Sequence, residues 1–260
     1  GNVTFVASSI GENSTVRDDE GDDSLRFERG VTSTTISGGS GADSIVALVS
    51  VAGSSISGDL GNDSLYLSAN VSNSTVAGAS GNDSIAVLGA VNGGQVLGNS
   101  DNDSLWISGS AVSAQVAGGS GNDTLVLLGA TGGSIGGQLG ADSLYVAGNV
   151  LGALVDMAPA GSPDSPDDGT DTIHITGSVS NSTIYSGSAA DSLSIGSTVI
   201  NSSIYAGSGS DSLVVGSSLG GVIDMGDAGD SVFVTGALSA ATLVGGSGND
   251  SITVSGAGSN

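Results

Sequence analysis

The 260-residue chain has no cysteine and no lysine, and its three arginines, Arg17, Arg26 and Arg29, all lie before residue 30. The first absence excludes a disulfide scaffold. The other two leave nothing permanently positive beyond Gly30, against 26 Asp and Glu and a net charge of -23. Such a chain repels nucleic acid and anionic lipid and attracts cations. No apolar run approaches the roughly 18 residues that a spanning helix needs, so no membrane insertion is expected. Aromatic residues make up 3% of the chain, and there is a single histidine, His174. A zinc cluster or a nucleophile triad is therefore not expected. No export signal is visible, and Gly1 reads as a cut within a larger chain. Yet 38% of the residues are apolar, too many for an acidic disordered tail.

What is present is a repeat. The Asp that precedes Ser or Thr recurs at Asp23, Asp43, Asp63, Asp83, Asp103, Asp123, Asp142, Asp171, Asp191, Asp211, Asp230 and Asp250. The gaps are 20 residues, apart from two of 19 and one of 29. A weaker copy begins at Gly1, with Val3 in the Asp position. Two residues after each Asp stands a large aliphatic (Leu25, Ile45, Leu65 and onward), and four after stands another apolar residue (Phe27, Ala47, Leu67 and onward). Spacing of two with many β-branched side chains marks a short strand with one buried face. Further apolar columns lie eight after (Val31, Val51, Val71) and thirteen after (Ile36, Ile56, Val76), the latter preceded at two residues by small ones such as Ser54, Ala114 and Ser182. Recurrent Gly and the lack of a 3.6 period exclude helix.

A 20-residue unit with such short strands cannot bury a core alone. Stacked copies can, as continuous aliphatic ladders. The expected fold is all-β: a single-stack parallel β-solenoid (β-helix or β-roll) of about 13 coils, continuous over residues 1–260. At roughly 4.8 Å per coil this is a rod about 60 Å long.

The acidic turns read "GGSGADSI" (38–45), "GGSGNDTL" (118–125) and "GGSGNDSI" (245–252). This pattern resembles the calcium-binding nonapeptide of the repeats-in-toxin (RTX) family, G-G-x-G-x-D-x-U-x. The resemblance implies Ca2+, bound in one row by turn carbonyls and by the twelve Asp named above. Oxygen-only ligation suits this hard cation. The turns ending at Asp43, Asp123, Asp211 and Asp250 match best, then those at Asp63 and Asp83. Asp101 and Ala189 replace a motif Gly, the turn before Asp230 is one residue short, and Asp171 follows the 29-residue gap. Only one edge of each coil carries the motif; the other reads like Val71–Val76 or Val179–Ile184. That single row is similar to calcium-bound segments of giant bacterial surface adhesins, and to solenoids of surface layers, filaments and phage fibres. A second reading of the Asp column stays open: each carboxylate caps its own turn by accepting backbone N–H bonds.

Other features carry less. Residues 157–170 hold all three Pro together with Asp164, Asp167 and Asp168, and are expected to form a loop leaving the calcium edge. Tyr66, Trp106, Tyr145 and Phe233 share an outward strand column with Val46, Val126 and Val214, a candidate surface for side-to-side packing or for sugar. Tyr185 and Tyr205 sit in equivalent positions of adjacent coils and should stack. His174 is expected to be solvent-exposed. The Asn-x-Ser/Thr sequons follow from the repeat itself.

The expected function is a non-enzymatic extracellular structural module, a calcium-stiffened rod on the cell surface. Further coils or identical subunits are expected at both ends. The alternatives are an ice-binding face on the turn edge, where the position three before each Asp holds Ser40, Ser80, Ser100 and Ser120 but also Leu60 and Leu139, and a β-helix enzyme acting on polysaccharide, which lacks a basic groove here.

Overall fold

The computed structural model describes residues 1–8, 10–158 and 169–256. The chain is an all-β parallel β-solenoid of about 12 turns with about 20 residues per turn. It comprises two compact units, Gly1–Leu127 and Leu128–Asn260. Among the described residues there is no helix long and apolar enough to cross a membrane.

In the first unit the strands Ser24–Phe27, Ser44–Ala47, Ser64–Leu67, Ser84–Val87 and Ser104–Val112 pair in parallel, each 20 residues out of step with the last. Leu25, Ile45, Leu65, Ile85 and Leu105 thus stack as one ladder, and each is at most 1% exposed. The degenerate first copy joins the stack, Thr4–Ala7 pairing with Ser24–Phe27. The columns eight and thirteen after the Asp line the remaining walls, with Val31, Val51, Val71, Ile36, Ile56 and Val76 all fully buried. The period-two alternation exists because each strand has one face on this aliphatic interior, where each fully buried Val, Leu or Ile contributes about 1.5–3 kcal/mol.

The second unit absorbs the irregular spacings without losing register. Leu144 pairs with Ile173 across the 29-residue step, and Leu213 pairs with Val232 across a 19-residue one. One deletion falls between Val215 and Ser217, opposite Ile195 and Thr198 of the preceding coil, where the pairing shifts by a residue and then continues.

Met157 and Ala158, expected to open the loop, are instead buried. The Met157 N–H donates to the Tyr185 carbonyl, so both belong to the coil. Residues 159–168, with Asp164, Asp167 and Asp168, lie outside the described residues. The coil resumes at Gly169, whose N–H donates to the Gly140 carbonyl at 3.1 Å.

Tyr185 and Tyr205 stack as expected, with ring centroids 5.1 Å apart. His174 departs from expectation. It is half-buried and stacked on Tyr145 at 5.3 Å, because adjacent rungs bring the two rings together.

Candidate metal centre

The Asp column lies inside the coils. Asp23, Asp43, Asp63, Asp83, Asp103, Asp123, Asp142, Asp171, Asp191, Asp211 and Asp230 are all between 0 and 3% exposed, and Asp250, in the last described coil, is half-buried. Within each unit the carboxylates form a directional chain. In the first, the N–H groups of Val3, Asp23, Asp43, Asp63, Asp83 and Asp103 each donate to Oδ1 of the next coil's Asp, at 2.6–2.7 Å. In the second, the chain runs from Asp142 through Asp171, Asp191, Asp211 and Asp230 to Asp250, at 2.7–3.1 Å. The turns are therefore capped, but from the neighbouring coil and not from within, as an Asx turn would have it.

One oxygen satisfies the cap and the other is left over. Oδ2 of Asp23, Asp43, Asp63, Asp83, Asp103, Asp211 and Asp230 is buried without a hydrogen-bond partner. A buried, unpaired carboxylate oxygen costs free energy unless something positive meets it. The cost shows in proton affinity. Burial, the largest cause, pushes Asp63, Asp83, Asp123 and Asp211 up to about 6 and Asp103 to about 7, against the backbone hydrogen bond each accepts. Asp43 and Asp230 are raised for the same reason.

The first motif glycine makes room for that oxygen. A Cβ on Gly38, Gly58, Gly78, Gly98, Gly118 or Gly137 would collide with Oδ2 of the Asp five residues on. At Gly38 and Gly98 the same space is also bordered by the carbonyl of the next coil's glycine, Gly58 or Gly118. Two oxygens from neighbouring coils thus converge on a cradle that any side chain would fill. Where Ser186, Ala206 and Met225 replace this glycine, their side chains are fully buried in its place. The sequence match at Asp211 overlooked that substitution. The replaced Gly at the other motif position matters less than the sequence implied: Asp101 and Ala189 hold φ of 73° and 83°, the left-handed region that Gly121, at 127°, also occupies.

No group of three or more Asp, Glu, His or Cys side chains gathers around one point among the described residues. A cation here would take one or two carboxylates and otherwise carbonyl oxygens, a donor set that fits calcium.

Two further ladders escaped the sequence reading. On the outer side of the acidic turn, Asn62, Asn82 and Asn102 accept through Oδ1 from the N–H of Asn82, Asn102 and Asn122, opposite in direction to the Asp chain. On the far edge, the N–H groups of Thr34, Ser54 and Ser182 donate to the hydroxyls of Ser54, Ser74 and Ser202 at 3.0–3.1 Å. The small residues noted in that column were the available signal; their hydroxyls are its content.

Three stretches, residues 32–48, 115–127 and 235–257, match the sequence model of the RTX calcium-binding nonapeptide repeat. They contain the turns at Asp43, Asp123 and Asp250. No curated protein matches the chain. Among solved structures, the chain is similar to a hyperactive, Ca2+-dependent, β-helical antifreeze protein from an Antarctic bacterium. The TM-score is 0.79 at 22% identity, over 96% of this chain and 82% of that one. At that identity the likeness speaks for the fold. The chain thus carries RTX calcium-binding nonapeptide repeats on a parallel β-solenoid, with Ca2+ as the ion those repeats bind.

Proposed function

We propose that the chain is a non-enzymatic, extracellular structural module whose coils are cross-linked by Ca2+, within a surface adhesin, surface layer or filament. The row of buried, surplus Asp oxygens carries this reading. Asp43, Asp63, Asp83, Asp103 and Asp123 hold the ion with the glycine carbonyls of the same edge; the other seven Asp continue the row of carboxylates, with the cradle filled by a side chain at Asp191, Asp211 and Asp230. Bound calcium supplies positive charge where the fold has buried negative charge, and nothing else. The protein's own part is to hold the oxygens in register and keep water from them. Binding to the folded state alone stabilises it. An ion abundant outside cells and scarce within then ties folding to export.

Circular dichroism with and without chelator at neutral pH tests the proposal. The expected result is loss of most β signal on chelation and its return with calcium; an unchanged spectrum with no bound metal would sink it.

The ice-binding reading has one observation in its favour beyond the fold likeness: the Asn82, Asn102 and Asn122 ladder runs beside Ser80, Ser100 and Ser120. That regular strip is three coils long. Leu60, 57% exposed, takes the place of Ser in the preceding coil, and Leu139 does so in the other unit. Absence of thermal hysteresis is the expected outcome.

A further inference from the structure

The outward face of four successive strands in the first unit carries no charge, in a chain of net charge -23. It presents Ser44, Val46 and Leu48, then Ser64, Tyr66 and Ser68, then Ser84, Ala86 and Leu88, then Ser104, Trp106 and Ser108. Their neighbours Leu65, Leu67, Ile85, Val87, Leu105 and Ile107 point inward and are buried. Tyr66 and Trp106 both align with Ala86, one from each side, so the two aromatics stand two rungs apart with a small residue between them. They are 37% and 47% exposed, although aromatic residues are scarce throughout the sequence and the first unit has ample Ser to cover its surface.

From this face we infer a binding site for a neutral, extended β-1,4-linked glycan lying along the solenoid axis. Three features select that occupant. Two rungs span roughly 9.6 Å, close to the length of two sugar units in an extended β-1,4 chain. Alternate sugars of such a chain present the same face, so rings at two-rung intervals meet equivalent C–H faces, while Ala86 leaves room for the sugar between. A C–H face carries slight positive charge and packs on the negative face of an aromatic ring. The Ser64, Ser84 and Ser104 hydroxyls form a polar row alongside, as a site for a polar ligand requires.

Area argues against a protein occupant. Four rungs by four residues of strand make a face of roughly 19 by 13 Å, about 250 Å², well short of the ~800 Å² per partner of a stable protein interface. Charge argues against an anionic glycan, which the surrounding acidic surface repels. The site is independent of the metal row, because its side chains leave the opposite side of the strand from the buried columns.

Trp106 is the sole tryptophan, so its emission reports on the site without a label. The calcium-loaded full chain is titrated with cellotetraose and chitotetraose, with maltotetraose as the curved α-linked control and tetragalacturonate as the anionic one. The expected result is a saturable shift of emission with at least one β-1,4 tetrasaccharide and none with either control. Tyr66→Ala should weaken that binding about tenfold, with the β spectrum and melting temperature kept. Tyr145→Ala, in the other unit, should leave it unchanged. Trp106→Ala is followed by retardation in gels containing a soluble β-glucan, and should abolish it. No response to either β-1,4 ligand at millimolar concentration, an equal response to maltotetraose, or full binding by Tyr66→Ala would each overturn the inference. So would a Trp106 shift that follows protein concentration together with dimerisation in sedimentation, which would assign the face to self-association.

Discussion

The two edges of each coil solve the same problem with different chemistry. At both, a backbone N–H buried at a corner donates to a side-chain oxygen one coil further on. At the far edge the acceptor is a hydroxyl, and it is fully used. Ser54 accepts from Thr34 and donates to the Ala52 carbonyl at 2.9 Å, and Ser74 and Ser202 donate likewise to Ser72 and Ile200. At the acidic edge a serine or an asparagine would cap as well, yet the chain places a carboxylate there in every full copy of the repeat, and at Asp23, Asp43, Asp63, Asp83, Asp103, Asp211 and Asp230 this leaves a surplus, buried oxygen. The fold alone does not require that second oxygen. A cation does.

The largest break between the edges should come from pH. The folded pKa of Asp63, Asp83, Asp103, Asp123 and Asp211 lies near 6 or 7, above the ordinary 3.8. Metal-free protein therefore binds more protons folded than unfolded between about pH 4 and 7. Its stability should fall as pH rises through that window and level off above it. With saturating calcium the trend should reverse, because the ion binds the deprotonated oxygens. Melting curves from pH 4 to 8, with chelator and with calcium, measure both slopes; parallel slopes would mean that the acidic edge is only a cap. The Ser edge, having no titrating group, contributes to neither slope.

Next in size is a single rung. Asp103→Asn keeps the acceptor for the Asp83 N–H but turns the surplus oxygen into an amide beside the Gly118 carbonyl. In chelator at pH 7.5 this variant should melt higher than the parent. In calcium it should melt lower, by an amount corresponding to about 1–3 kcal/mol. The opposite signs separate loss of a ligand from loss of a cap. Ser54→Ala is the companion at the other edge: it strands the Thr34 N–H and should cost about 1–3 kcal/mol whether or not calcium is present.

The period, the aliphatic columns and the Asp column were legible in the sequence because stacking repeats one environment every 20 residues, and each column reports it. Three things were not legible. Whether Asp63 points out from the turn or into the coil depends on the backbone path, and the sequence reads the same in both cases. The role of Gly58 is steric, set by an oxygen five residues away, so a motif match counts Gly58 in one copy and Ala206 in another without seeing that one opens the cradle and the other fills it. Asp101 and Ala189 misled in the opposite direction, since a position that prefers glycine for its φ still accepts other residues at a cost. The hydroxyl ladder was missed because Ser54, Ala114 and Gly94 are all small, and size was the property noticed.

The smallest effect tests the same rule inside the core. Ser218 sits in the column of Val31, Val51 and Val71, in register between Val199 and Leu238, and is 2% exposed. Its hydroxyl has no hydrogen-bond partner, unlike that of Ser54 or Ser202. A buried hydroxyl left unpaired is costly, and removing it recovers the desolvation it forfeits. Ser218→Ala should therefore raise stability by about 1 kcal/mol, equally in calcium and in chelator. At the far edge the same Ser-to-Ala exchange should lower it. The sign of the change depends on whether the hydroxyl holds a neighbouring coil, and a destabilised Ser218→Ala would reveal a partner for that oxygen and remove the contrast.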